Sequence, residues 1–162
     1  MGRLLKNTLK IGGIGVIFWL ITGCSLIVPK LLPLDDLPKP AGPYAVCTQT
    51  FTWQDNSREE AFTAEAGDKR RLVVQIWYPA EPTSGQPVNY LPDPELRMGP
   101  FAKSSGLPKS LLNHMQWVET NSLPNAPFKA ELTELPLVLF SHGLGGMKNQ
   151  NSVQMEELAS QG

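Results

Sequence analysis

The sequence predicts an α/β fold in which only the amino-terminal part of the sheet is present. Residues 137–140 form an uncharged apolar run without polar alternation, as in a strand buried on both faces of a parallel sheet. A glycine-rich turn over residues 141–146 follows this run, and residues 151–161 have the pattern of a helix. Because the elements before Gly162 are too few to close a doubly covered sheet, further strands are expected beyond it.

Two earlier strands are predicted. Residues 44–53 are rich in threonine and aromatic side chains and form the first, and residues 55–58 are expected to form a turn. Residues 71–78 form the second and clearer strand, which Pro79 is expected to end. Its alternation places two sets of side chains on opposite faces: Leu72, Val74, Ile76 and Tyr78 on one, and Val73, Gln75 and Trp77 on the other.

The long segment between these strands and the apolar run has low regularity. Within it, Leu111, Leu112, Met115 and Val118 recur at helical spacing, which predicts an amphipathic helix over residues 109–120. Irregular segments of this length are usually functional, as a lid or as the wall of a binding cleft. A solvent-exposed excursion that merely packs on the sheet is an equal alternative.

The final helix has clear boundary signals. Asn151 or Ser152 is the candidate N-cap, and Gly162 occupies the position of a C-cap glycine. Its periodicity predicts an inner apolar stripe that consists of Met155, Leu158 and Ala159.

Composition indicates a single globular domain that does not bind nucleic acid. The chain has 162 residues and a formal net charge of −1. Its densest basic run, residues 68–71, is short and begins with an aspartate, unlike a nucleic-acid-binding surface. Of the two cysteines, Cys47 lies in a predicted strand and is expected to be a small buried hydrophobic residue.

The amino terminus predicts export. Arg3, Lys6 and Lys10 precede an uncharged apolar stretch, and residues 21–24 (Ile-Thr-Gly-Cys) resemble the lipobox of bacterial lipoproteins, in which Cys24 would carry the lipid. An uncleaved signal anchor is the alternative, since no charged residue lies between Lys10 and Lys30. Either way, the remainder of the chain is expected in the cell envelope, held at a membrane.

The predicted organisation therefore has three parts. Residues 1–23 are a lipoprotein-type signal peptide or signal anchor, and residues 24–43 are a proline-rich tether that favours extended backbone. Residues 44–162 are the amino-terminal part of a globular α/β domain.

Residues 44–162 resemble the plasma, isoform II type of the platelet-activating factor acetylhydrolase family. The specific matches are the arginine-led strand that ends in Tyr-Pro at residues 71–80 and the Phe-Ser-His-Gly-Leu-Gly turn at residues 140–145. The last helix ends in Leu-Ala-Ser-Gln-Gly, where the family typically has Leu-Ala-Ser-His-Gly, so Gln161 replaces a histidine. The replaced position has no catalytic role in the resemblance.

The resemblance implies an α/β-hydrolase fold and hydrolysis of carboxylic esters, often short acyl chains on lipids, without a metal or cofactor. The implied mechanism is acyl transfer through a Ser-His-Asp triad. The backbone N–H of Leu144 would supply one donor of the oxyanion hole, in a loop that includes His142, Gly143 and Gly145. The residues support this independently, because glycines allow an amide to point inward and a following helix adds a favourable dipole.

The triad itself has no counterpart in this sequence. No Gly-x-Ser-x-Gly pentapeptide occurs, and in this fold the acid and the histidine follow the nucleophile. His142 precedes the place of the nucleophile and is expected to brace the turn, while His114 is expected to be a surface or packing residue. Ser141 lies between a predicted buried strand and a glycine turn, without a neighbouring base.

The chain as given is therefore expected to be inactive and poorly stable. Two other interpretations stay open. One is a truncated, non-catalytic envelope lipoprotein, and the other is a dienelactone-hydrolase-like or polyester-cleaving α/β-hydrolase.

Overall fold

A computed structural model describes Lys30 and residues 37–143 and 145–162 of the chain. The predicted signal segment with Cys24, the beginning of the tether and Leu144 lie outside the described residues. The chain divides into two compact units, of which one contains Leu91–Val118 and the other contains Leu37–Tyr90 and Glu119–Gly162. None of the helices in the described part is both long enough and apolar enough to cross a bilayer.

The larger unit is built on a long β-hairpin. Strand β1 (Ala45–Glu59) pairs antiparallel with β2 (Lys69–Ala80), which confirms both predicted early strands and extends each of them. The short strand β3 (Leu123–Pro124) pairs parallel to β1, so that the sheet order is β2-β1-β3.

Two predicted breaks lie inside these strands. The predicted turn over residues 55–58 is instead an irregularity in the ladder, because Asp55 pairs with Arg70 and Glu59 pairs with Lys69. Pro79 does not end its strand: it pairs with Val46 near the end of β2. A proline is tolerated there because β2 is an edge strand of the described sheet and needs no donor on its outer side.

Cys47 lies at the centre of the small core of this unit. It is fully buried, as predicted, and packs with Ala80 and Ala126. Its Sγ accepts the backbone N–H of Ala126 at 3.1 Å, and the Tyr78 hydroxyl donates to the Ala126 carbonyl at 2.9 Å. Both polar groups of the Ala126 peptide are therefore satisfied by strands β1 and β2.

The final helix forms where it is predicted but buries a different face. It spans Ser152–Gln161, with Asn151 at the N-cap position and Gly162 at the C-cap with φ 99°. The predicted apolar stripe is wrong, since Leu158 is 49% exposed. The residues of the helix that are fully buried are small or polar, and they recur every fourth position: Ser152, Glu156 and Ser160.

Gly42 must be glycine because its backbone lies directly against this face of the helix. A Cβ on Gly42 would lie 2.1 Å from the carbonyl oxygen of Ser160. The N–H of Tyr44 donates to that same carbonyl at 3.1 Å, and the N–H of Gly42 donates to the Ser160 hydroxyl at 3.0 Å. Residues at the end of the predicted tether are thus bound to the helix.

Glu156 is the most unusual residue of this face, because its side chain is a fully buried carboxylate. It accepts hydrogen bonds from the Ser122 hydroxyl at 2.5 Å, the Asn121 backbone N–H at 2.9 Å and the Asn121 side-chain amide at 3.3 Å. A buried carboxylate is costly unless donors replace its water, and here three donors from two adjacent residues do so.

The predicted buried strand over residues 137–140 is not formed. These residues have no regular secondary structure, and Leu137 and Leu139 are 83% and 86% exposed. A strand of a parallel sheet becomes buried only when neighbouring strands pair with both of its edges. The strands of the described chain pair with one another and not with this segment, which leaves its apolar side chains in solvent.

Within Leu91–Val118, the smaller unit has three helical elements: α1 (Pro94–Ser105), α2 (Lys109–Leu112) and a 3₁₀ helix (Asn113–Trp117). The helix predicted over residues 109–120 ends early, because Val118 has extended backbone. Its apolar pattern is nevertheless correct at three of four positions, since Leu112, Met115 and Val118 are buried.

Helix α1 was not predicted, although the sequence contains its boundary signals. Pro94 opens the helix and Gly106 closes it with φ 68°, as expected for these residue types. Pro100 lies inside the helix and obscures the periodic pattern. The final helix, Ser152–Gln161, is called α3 below.

The buried environment of Tyr78 predicts that the free energy of unfolding decreases as the pH rises in the alkaline range. Burial, followed by the hydrogen bond and charge interaction with Cys47, raises the pKa of Tyr78 to about 12. Since a tyrosine in the unfolded chain titrates near pH 10, unfolding releases a proton above that pH. The contribution of Tyr78 to the free energy of unfolding should therefore be fully present below pH ~10 and should be lost as the pH rises to ~12.

The measurement is the thermal unfolding midpoint between pH 9 and 11.5 for the wild-type chain and for Tyr78→Phe. The variant should be less stable at pH 9 by about 1 kcal/mol, because a hydrogen bond to Ala126 is lost, and its alkaline slope should be shallower. Parallel slopes for the two proteins would contradict the assignment.

Candidate functional site

The candidate site is the glycine turn, which we define as residues 142–146. Gly143 and Gly145 have φ values of 72° and 87°, in the left-handed region that favours glycine. Gly146 donates its N–H to the Gly143 carbonyl at 3.4 Å, and a Cβ on Gly146 would lie 2.6 Å from the carbonyl oxygen of His142. All three glycines therefore have a conformational or steric requirement.

His142 lies in the turn and bonds to it. Its Nδ1 is 2.6 Å from the carbonyl oxygen of Gly143, and its side chain is exposed. With the proton on Nδ1, the ring donates to this carbonyl and bridges the first two residues of the turn. His142 is therefore placed to stabilise the turn.

The residues that follow the turn are fixed by a compact set of hydrogen bonds. The N–H of Met147 donates to the Gln150 side-chain oxygen at 3.2 Å, and the amide of Asn149 donates to the Tyr90 carbonyl. The Tyr90 hydroxyl donates in return to the Gln150 carbonyl at 3.4 Å, and burial raises the pKa of this phenol. This segment links the turn to helix α3.

Lys148 connects the same segment to the β-hairpin. Its Nζ donates to the side-chain oxygen of Gln75 at 2.9 Å and lies 3.4 Å from the Thr50 hydroxyl. Sequence reasoning did not single out either Lys148 or Gln75. The available signal was the polar side chain of Gln75, which lies between Val73 and Trp77 on one face of the strand, within the otherwise apolar run of residues 72–78.

The other candidate residues are placed as follows. Leu144, the predicted amide donor, and Cys24, the predicted lipidation site, lie outside the described residues, so both assignments stay predictions. Ser141 is exposed. His114 lies in the 3₁₀ helix of the smaller unit, where its Nε2 is buried without a hydrogen-bond partner.

The turn offers backbone chemistry and not side-chain nucleophiles. Positive φ at Gly143 and Gly145 allows successive peptide groups to be turned to one side, and helix α3 begins a few residues later. Within residues 37–143 and 145–162, no three histidine, cysteine, aspartate or glutamate side chains are grouped closely enough to bind a metal.

The glycine turn between an apolar segment and a helix agrees with the place of the oxyanion loop near the amino terminus of an α/β-hydrolase. The sequence profile described as platelet-activating factor acetylhydrolase, isoform II, matches residues 33–162, and the chain belongs to this family. The resemblance found from residues 71–80 and 140–145 is thereby confirmed.

A solved structure supports the same fold. The ferulic acid esterase from Streptomyces cinnamoneus superposes with a TM-score of 0.62 and 26% identity over 78% of this chain. The match covers 33% of that esterase, so the chain spans about a third of its length. A search of curated proteins finds no significant match.

The glycines of the turn should be intolerant of a side chain. Gly143→Ala and Gly145→Ala add no clash, but each should lower the free energy of unfolding by about 1–2 kcal/mol, because the left-handed backbone is strained for alanine. Urea denaturation measures the change. Gly85→Ala is the matched control, since its φ is ordinary and its Cβ would meet Leu123 at 3.8 Å. Equal tolerance at all three positions would be inconsistent with this account.

Proposed function

We propose that this chain is the amino-terminal part of a membrane-anchored serine esterase and that its glycine turn provides one half of the oxyanion hole. The observation that carries the proposal is the left-handed backbone of Gly143 and Gly145, a few residues before helix α3, in a member of a hydrolase family. The donor is the backbone N–H of Leu144, with His142, Gly143 and Gly145 as the supporting loop.

The chemistry that needs such a donor is ester hydrolysis through a tetrahedral intermediate. When a serine attacks the ester carbonyl, the carbonyl oxygen becomes negatively charged. A fixed N–H stabilises this charged oxygen in the transition state more than it stabilises the neutral carbonyl of the bound ester. One such donor typically contributes about 3 kcal/mol to transition-state stabilisation.

The nucleophile, the acid and the histidine are proposed to lie in sequence that follows Gly162. Two observations support this: the 162 residues contain no Gly-x-Ser-x-Gly pentapeptide, and the chain spans about a third of the esterase that it resembles. Under this proposal, the exposed apolar segment at residues 137–140 becomes a buried strand once strands from the following sequence pair with it. The 162-residue chain is accordingly proposed to be inactive.

The proposed substrate is a carboxylic ester, either a lipid ester with a short acyl group or an ester of an aromatic acid. The family name supports a lipid ester, and the similarity to a ferulic acid esterase supports an ester of an aromatic acid as the second candidate. Comparison of the two ester classes as substrates of the active protein distinguishes them.

The proposed location is the cell envelope. Arg3, Lys6 and Lys10, the apolar stretch after them and the lipobox-like residues 21–24 support lipidation of Cys24. The bound end of the tether, at Gly42, would then set the distance between the lipid surface and the domain.

Activity is expected only in a product that is translated past the codon for Gly162. That longer protein should contain the elbow serine and should react with a fluorophosphonate probe. Leu144→Pro, which has no N–H, should lower kcat about 10²–10³-fold, whereas Leu144→Ala, which keeps the N–H, should have little effect. An in-frame stop without an elbow serine, or equal activity of the two variants, would refute the proposal.

The 162-residue chain provides the complementary test. Purified at this length, it should hydrolyse nitrophenyl acetate no faster than buffer does, because it contains no activated nucleophile. Robust turnover that follows the protein through purification would contradict the proposed incompleteness.

Lipidation predicts a specific mature amino terminus. Mass spectrometry of the membrane-extracted protein should find the chain beginning at Cys24 with attached acyl groups, and Cys24→Ser should abolish the modification. Cys47→Ser is the control, because Cys47 is buried and should leave the modification unchanged. An intact Met1 would instead identify an uncleaved signal anchor.

A further inference from the structure

The glycine turn requires an anchor outside itself. Glycine has more conformational freedom to lose than any other residue, and the turn contains three of them. Among its described residues, the turn has a long backbone hydrogen bond from Gly146 to Gly143, at 3.4 Å, and the contact between His142 Nδ1 and the Gly143 carbonyl. Both lie within the turn and neither fixes its direction relative to the sheet, so the contacts of the next residues become important.

Lys148 makes the contact that joins the turn to the rigid part of the unit. Its acceptors, Gln75 on β2 and Thr50 on β1, are directly opposite each other in the ladder. The ammonium therefore bonds to a cross-strand pair, whose position is set by the register of the hairpin. A bond from a charged donor is also stronger than one between neutral groups.

The acceptor side of this contact is itself held in place. The Gln75 amide donates to the Thr48 hydroxyl at 3.0 Å, and that hydroxyl donates to the backbone carbonyl of Ile76 at 3.0 Å. Thr48 is buried, at 6% exposure. The hydrogen bonds thus run without interruption from Lys148 to the backbone of β2.

We propose that Lys148 is a positioning residue that fixes the glycine turn on the β1–β2 hairpin. It does not touch the reacting atoms; it limits the directions that the turn and its amides can take. The consequence for catalysis rests on the proposed function, whereas the anchoring of the turn does not.

The anchoring is tested on the chain itself by backbone hydrogen exchange. In Lys148→Met, which keeps the apolar stem, the Gly146 and Met147 amides should exchange about tenfold faster, because a charge-assisted bond is lost. Lys148→Arg should retain most of the protection. Lys103→Met, at an exposed lysine of α1, is the matched control and should change neither amide.

Two results with Lys148→Met, and a third with Gln75→Leu, would each overturn the proposal. One is unchanged exchange at Gly146 and Met147 in Lys148→Met. The other is equally faster exchange throughout β1 and β2, which would mean that the lysine supports the hairpin and not the turn. Gln75→Leu leaves the charge of Lys148 in place and should reproduce the effect of Lys148→Met; failure to do so would also overturn it.

Kinetics of the longer, active protein separate this proposal from the proposed function. If both are correct, Lys148→Met lowers kcat about tenfold with little change in KM, since the ground-state ester does not depend on the oxyanion donor. Lys148→Arg should restore most of kcat. Faster exchange in the turn with unchanged kcat would leave the anchoring role intact and reject the turn as an oxyanion site.

Discussion

The buried carboxylate of Glu156 is the constraint on which the larger unit depends. It lies on helix α3 and takes all of its described hydrogen bonds from Asn121 and Ser122. Those residues immediately precede β3, so this side chain joins the middle of the helix to the edge of the sheet. A shift of the helix would leave this carboxylate buried without hydrogen-bond donors, at a large cost in free energy, so the position of the helix is well defined. The position of the helix in turn limits where the segment before it and the glycine turn can lie.

The turn combines local freedom with external restraint. Gly143 and Gly145 permit a backbone direction that other residues resist, while His142 and Lys148 limit the motion that this freedom would allow. This division is suited to a site made of peptide N–H groups, since such a site must be accurate but presents no side chain of its own. The chemistry proposed for the turn therefore depends on residues that do not take part in it.

The apolar surfaces of the chain are consistent with membership of a larger hydrolase. Residues 137–140 are exposed, and so is Leu158 on the outer side of helix α3. A soluble domain rarely leaves such groups in water without a partner. In a doubly covered parallel sheet, a strand at this position is enclosed by strands on both edges and by helices on both faces. The match to about a third of a related esterase fits this interpretation.

Much of the fold and of the candidate site could be predicted from local patterns. Alternation identified β1 and β2, capping residues delimited helix α3, and glycine chemistry located the turn, because each of these depends on neighbours in the chain. The family resemblance was likewise contained in short motifs. These signals are local, so a single sequence is sufficient for them.

Long-range partners were decided by folding alone. The serine and glutamate face of helix α3 is buried because Gly42 and Ser122, distant in sequence, come close to it, and Leu158 of the predicted apolar stripe is left exposed. The bond between Lys148 and Gln75 has the same origin. Burial of residues 137–140 was predicted from their hydrophobicity, but a strand is buried only by the strands that pair with it. Which strands pair is decided by the assembled sheet, so it cannot be predicted from the residues of a single strand.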